Sequence, residues 1–239
     1  MKMRNLLPAE SAVPPKTAAA HSMGCGIRLR FACARTQAAL SLLACVMMLP
    51  ACESNPPSTP AKPEVKPTEQ LTARAAFQKV FIAARNYAPD VKPFRIESIP
   101  TGDSNGHDGK SAVWRASFAS ATQHGVKPFI WSGSNAPDAP ARGVTPGNED
   151  TYNPNNASTQ VFDVAFLKID SDQAFAEAQK HGGDKILEKD PSSPVIYICD
   201  WNHNTNQLVW HVIYGESAGT AKLMVSINAT TGEFIRVEK

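Results

Sequence analysis

The chain reads as an α+β protein with two similar units, each a helix packed on a small antiparallel sheet. Three observations predict this. Phe77, Val80, Phe81 and Ala84 fall at i, i+3, i+4 and i+7, the period of an amphipathic helix. Ala112, Trp114, Ala116 and Phe118 alternate with Val113, Arg115 and Ser117, the period of a strand with one buried face. The pattern then recurs. Val113-Trp114-Arg115-Ala116-Ser117-Phe118 aligns with Val209-Trp210-His211-Val212-Ile213-Tyr214, and the distance from helix to tryptophan is 37 positions for Phe77 to Trp114 and 35 for Phe175 to Trp210.

The first 51 residues read as an export signal. Arg28, Arg30 and Arg35 precede an apolar core running from Ala38 to Leu49, which is shorter than the roughly 20 residues that a spanning helix needs. Pro8, Pro14 and Pro15 fit no such signal, so Met23 is the expected start. Leu49-Pro50-Ala51-Cys52 closes the apolar run. It resembles the lipobox of bacterial lipoproteins. The resemblance implies cleavage before Cys52, acylation of its sulfur and a membrane anchor at Cys52. Glu53, rather than Asp, implies the outer membrane where the cell has one.

Residues 52–70 read as the lipidated cysteine and its tether. Pro56, Pro57, Pro60, Pro63 and Pro67 stand among Ser, Thr, Lys and Glu, a composition that stays extended. At about 3.1 Å per residue, residues 53–67 span up to roughly 50 Å.

Residues 71–131 make the first unit. Thr68 is the expected cap of its helix and Pro89 the stop. Strands are expected at 93–99, 112–118 and 126–131, with Pro128 marking the last as an edge. Residues 132–160, rich in Gly, Pro, Asn, Ser and Asp, read as a loop or linker.

The second unit spans residues 161–239. After an apolar run at 161–169, Asp170 and Gln173 form a capping-box pattern at the start of a helix carrying Ala174, Phe175 and Ala178. Gly182 and Gly183 are expected to end it. Strands follow at 194–200, 207–214, 222–228 and 233–238.

Charge and cysteine content exclude several function classes. Residues 1–51 hold six of the 24 Lys/Arg and one of the 22 Asp/Glu, which leaves 18 basic and 21 acidic residues beyond them, a weakly acidic balance with no electrostatic footprint for nucleic acid. Cys25, Cys33 and Cys45 lie in the signal and Cys52 is the acylation site. Cys199 is left alone in a strand, so no internal disulfide is expected, and it reads as a small buried hydrophobe.

Two motifs suggest chemistry that their contexts oppose. Gly215-Glu216-Ser217-Ala218-Gly219 matches the nucleophile elbow of hydrolases, but it lies between two strands and no histidine follows it. Asp103-Ser104-Asn105-Gly106-His107-Asp108-Gly109 has the composition of a calcium loop, yet lacks the glycine and glutamate that the EF-hand template places sixth and twelfth. His107, His124, His181, His203 and His211 form no metal-binding pair, and no metal or other cofactor is expected.

Asn228-Ala229-Thr230-Thr231-Gly232-Glu233-Phe234-Ile235 is similar to the close of a PepSY domain. The resemblance covers residues 170–239 and extends weakly to 71–131. It implies a non-catalytic module of envelope proteins that binds or modulates peptidases or other protein partners. The expectation is a non-enzymatic, lipid-anchored, protein-binding envelope module. Two other readings stand beside it. One is small-ligand binding between the units, with Trp131 or Trp201 as the stacking surface; the other is hydrolysis by Ser217.

Overall fold

The structure is a computed structural model, and residues 66–239 are described. The signal, Cys52 and most of the tether lie outside the described residues.

After β1 (Leu71–Thr72) the chain enters α1 (Ala73–Tyr87), then β2 (Lys92–Ser98), β3 (Lys110–Ser111), β4 (Val113–Ser120) and β5 (Gly125–Ser132). Two short strands follow, β6 (Gly143–Pro146) and β7 (Asp150–Thr151). Past two 3₁₀ turns come α2 (Ser171–Ala178), a π-helical turn (Gln179–Gly183) and α3 (Asp184–Lys189). The chain closes with β8 (Val195–Asn202), β9 (Gln207–Tyr214), β10 (Leu223–Asn228) and β11 (Phe234–Val237).

The α+β class is as expected, but there are not two small sheets. Nine strands form one antiparallel sheet in the order β11-β10-β9-β8-β2-β4-β5-β6, with β7 also on β5. β1 and β3 pair apart from it, and the first strand that each half gives to the large sheet, β2 or β8, meets its counterpart at the centre through Arg95–Asp200, Ile96–Cys199 and Glu97–Ile198. Read outward from this pair, strands follow in chain order on both sides. Residues 132–160, expected as a linker, supply β6 and β7 to the outer side of β5.

Pro128 explains why that outer side is split. It has no N–H for a ladder. β6 pairs with residues 129–132 and β7 with 125–126, leaving Pro128 in the gap, where its carbonyl accepts from the Gly147 N–H at 2.8 Å. β5 is therefore next to the edge and not the edge itself.

The helices lie over one sheet face. α1 buries Ala73, Ala76, Phe77, Val80 and Ala84 against β4 and β5. Phe77, Phe81 and Phe118 stack mutually at 5.2–5.8 Å. α2 does the same against β9 and β10 with Ala174 and Ala178. Trp114 and Trp210 are fully buried beneath the helix ends. The larger apolar core runs through both halves, and a smaller cluster holds Ile196, Ile213 and Ala221.

Helix ends depart in part from expectation. Asp170 and Gln173 make the capping box. Thr68 does not cap α1, whose N-cap is Thr72 without a side-chain bond, because the Thr68 hydroxyl donates to Asp103 at 2.7 Å. Gly182 adopts φ +106 within the π turn, and the chain continues into α3 instead of stopping.

Candidate functional site

The loop Asp103–Gly109 is a rivet between the halves. Val195 N–H donates to the Asn105 carbonyl at 2.8 Å, His107 Nε2 lies 2.7 Å from the Ser193 carbonyl, and the Tyr197 hydroxyl donates to the Gly106 carbonyl. Gly106 and Gly109 take φ +76 and +78, and a Cβ at either would run into backbone, of Val195 and of Asp172. Ser171 completes the joint. Its hydroxyl donates to the Gly109 carbonyl at 2.6 Å and accepts from the Ala73 N–H at 2.9 Å, linking the starts of both helices.

Asp103 anchors the arm that leads from the tether. Its carboxylate accepts from the hydroxyls of Thr68, Thr101 and Ser134 and from the Asn135 N–H, at 2.7–3.0 Å. Burial opposes its ionisation, but these four donors prevail and hold the carboxyl well below the usual range. Asn135 and Arg142 add bonds to the carbonyls of Lys66 and Pro67. The acidic groups of this loop therefore act in structural bonds.

Ser217 lies in the loop from β9 to β10, where its hydroxyl pairs with Thr220 at 2.9 Å. No strand-to-helix elbow is present there. Cys199 is fully buried and faces the helix layer, and burial pushes its thiol well above the ordinary value. His211 lies on the other sheet face, so the two do not meet. Trp131 is 3% exposed and belongs to the core, which removes it as a stacking platform.

The face away from the helices carries a line of charge that the sequence concealed, because its members come from five strands and the C-terminal residues. Arg115 grips Oε1 of Glu97 through Nε and Nη2, each at 2.6 Å. Arg95 lies 3.4 Å from Glu97 and 3.8 Å from Asp200. His211 stands between Asp200 and Glu238, each at 3.4 Å. Arg236 reaches Glu238 at 3.1 Å. Cross-strand pairing on a period of two was the only sequence signal for this line.

Within that line, Ser226, His211 and Asp200 have the composition of a catalytic triad. Ser226 Oγ is 3.1 Å from His211 Nδ1. The serine is 1% exposed and its hydroxyl donates to Glu238, so its proton is committed and no substrate can reach it. The arrangement acts as a hydrogen-bond network.

Each end of the central strand pair carries a depression. Where β2 ends and β8 begins, an open one of about 610 Å³ is bordered by Thr101, Asn105, Asp138 and Glu216. Where β2 begins and β8 ends, a tighter one of about 220 Å³ is bordered by Arg95, Asp200 and Trp201, with the turn of residues 157–160 over it. Trp201, unlike Trp131, is thus available beside a cavity.

No family model matches the chain, and no curated protein matches it. One solved structure, a candidate lipoprotein from Clostridium difficile 630, is similar over 68% of this chain and 91% of its own, at 9% identity and a TM-score of 0.46. A likeness of that degree carries nothing further about this chain.

Proposed function

We propose that the protein is a non-enzymatic, lipid-anchored module of the cell envelope that captures a protein partner near the membrane. The observation that carries this is Cys52, behind the apolar run Ala38 to Leu49 and ahead of a proline-rich tether. The PepSY-like close at 228–235 supports a binding role. In that segment Gly232 takes φ +82, and Asn228 Oδ1 accepts from Thr230 and Thr231 N–H at 2.8 and 3.1 Å, so the motif residues build a turn. The strand order shared by the two halves supports reading them as an internal repeat.

The outer strands β6 and β11 offer edges to which an extended segment of a partner can add. Because both halves share one sheet, removing residues 161–239 would strip β2 of its β8 neighbour, so truncation is a poor test. The experiment is in-cell crosslinking and pull-down of the tagged protein, with metabolic labelling by an alkyne fatty acid, against Cys52→Ala. Fatty-acid labelling of the wild type alone, with an envelope protein recovered only from the anchored form, is the expected result. An unlabelled wild type removes the anchor. Equal recovery of partners from both forms removes its role in capture.

A further inference from the structure

A histidine bears on each face of the C-terminal edge strand β11. On the helix side the His181 ring lies flat on Phe234, 3.7 Å between centroids and 10° between planes, and its Nε2 is 3.1 Å from Glu177. Lys180 holds the same carboxylate at 2.6 Å. On the other side His211, on β9, meets an acceptor at each ring nitrogen. Nε2 faces Asp200 at 3.4 Å, and Nδ1 is 3.1 Å from Ser226 Oγ and 3.4 Å from Glu238. The Ser226 hydroxyl gives its one proton to Glu238, so toward Nδ1 it can only accept. Arg236 also holds Glu238, at 3.1 Å, and Arg95 lies 3.8 Å from Asp200. Glu238 in turn ends the strand, its N–H donating to the Met224 carbonyl at 2.8 Å.

A neutral imidazole has one N–H and an imidazolium has two. His211 can therefore serve Asp200 and the Ser226–Glu238 pair together only as the cation. As a neutral ring it either turns a lone pair on Asp200, or takes the Ser226 proton at Nδ1 and strips Glu238 of it. We infer that His211 and His181 form a proton-operated latch on β11. Protonated, His211 ties Asp200 of β8 to Glu238, and His181 gains from both Glu177 and the face of the Phe234 ring. These contacts are complete in acid and are lost as pH rises through the range in which histidine ordinarily changes charge, about pH 5 to 8. Because β11 is the outermost strand on its side, its release bares β10 as a new edge. What that edge receives rests on the strand-capture reading proposed above; the latch itself depends neither on capture nor on the lipid anchor.

The test is hydrogen exchange of the Glu238 amide in the purified full chain, corrected for the intrinsic effect of pH. Its protection should fall at least about fivefold from about pH 5.5 to about pH 8, and by more than that of the β9 amides. His211→Gln and His181→Gln should each shrink the fall, and the double variant should remove it. No fall in the wild type, or an equal fall in the double variant, overturns the latch. An unchanged fall in one single variant removes that histidine from it. Nitrogen NMR of the wild-type His211 ring keeps the inference testable if a variant fails to fold. At about pH 5.5 both ring nitrogens should carry protons while the Glu238 amide is protected. A neutral ring beside a protected amide there overturns the role of His211.

Discussion

Trp114 and Trp210 make the same bond in the two halves of the sheet. Trp114 Nε1 donates to the Leu71 carbonyl at 2.8 Å, and Trp210 Nε1 donates to the Ile169 carbonyl at 2.9 Å. Each acceptor stands two residues before its helix, α1 or α2. Each indole thereby fixes where its helix begins relative to the second strand of its half. The buried N–H would be costly unpaired, and a carbonyl in the approach to the helix is free of helical bonds.

The equivalence predicts matched costs. Trp114→Phe and Trp210→Phe each lose a buried hydrogen bond and part of a ring, and each should destabilise by about 2 kcal/mol. Urea denaturation of the two variants checks this. A difference between them much larger than either effect would show that the two bonds are not equivalent in the folded protein.

Asp103 predicts acid sensitivity. Its carboxyl lies below the ordinary value when folded, so the unfolded chain binds more protons in the intervening range. Its contribution is complete above the unfolded value near pH 3.9 and is lost as pH falls toward the folded value. Asp90, held down to about 2 by hydrogen bonds from Ser120 and Thr122, acts with the same sign. The wild-type urea midpoint should fall between pH 4 and about 2. Asp103→Asn should be less stable at pH 7 by about 2 kcal/mol and lose less on acidification.

Gly106 tests the rivet. Its positive φ and its contact with the Val195 backbone leave no room for a methyl group. Gly106→Ala should cost about 3 kcal/mol or more. Thermal unfolding should remain a single transition, because one core spans both halves. Two resolved transitions would contradict that shared core.

Ser217 and Cys199 should be chemically quiet. Ser217→Ala should change stability by no more than about 0.5 kcal/mol, and a serine-reactive phosphonate should leave the wild type unlabelled at that position. In a Cys52→Ala background, a thiol reagent should modify Cys199 only when the protein is unfolded, since the thiol is inaccessible and its thiolate disfavoured.

Periodicity was enough to read most elements. β9 runs over residues 207–214 as its alternation predicts, and the capping box at Asp170 is a local device written in four consecutive residues. These signals depend on neighbours within a turn or along one strand. The α+β class follows from them, as does the burial of Cys199.

Tertiary structure decided what local sequence cannot encode. That β2 pairs with β8 and merges two sheets depends on contacts about 100 positions apart, as between Arg95 and Asp200. Thr68 was lost as a cap because a carboxylate 35 positions away took its hydroxyl. The Asp103 loop, by composition a metal-site candidate, spends its polar atoms on the other half of the molecule. The line from Arg115 to Arg236 and the cavity beside Trp201 likewise arise only when strands distant in sequence lie side by side. Sequence patterning sets which face of each element is apolar; the pairing of those elements sets which polar groups meet.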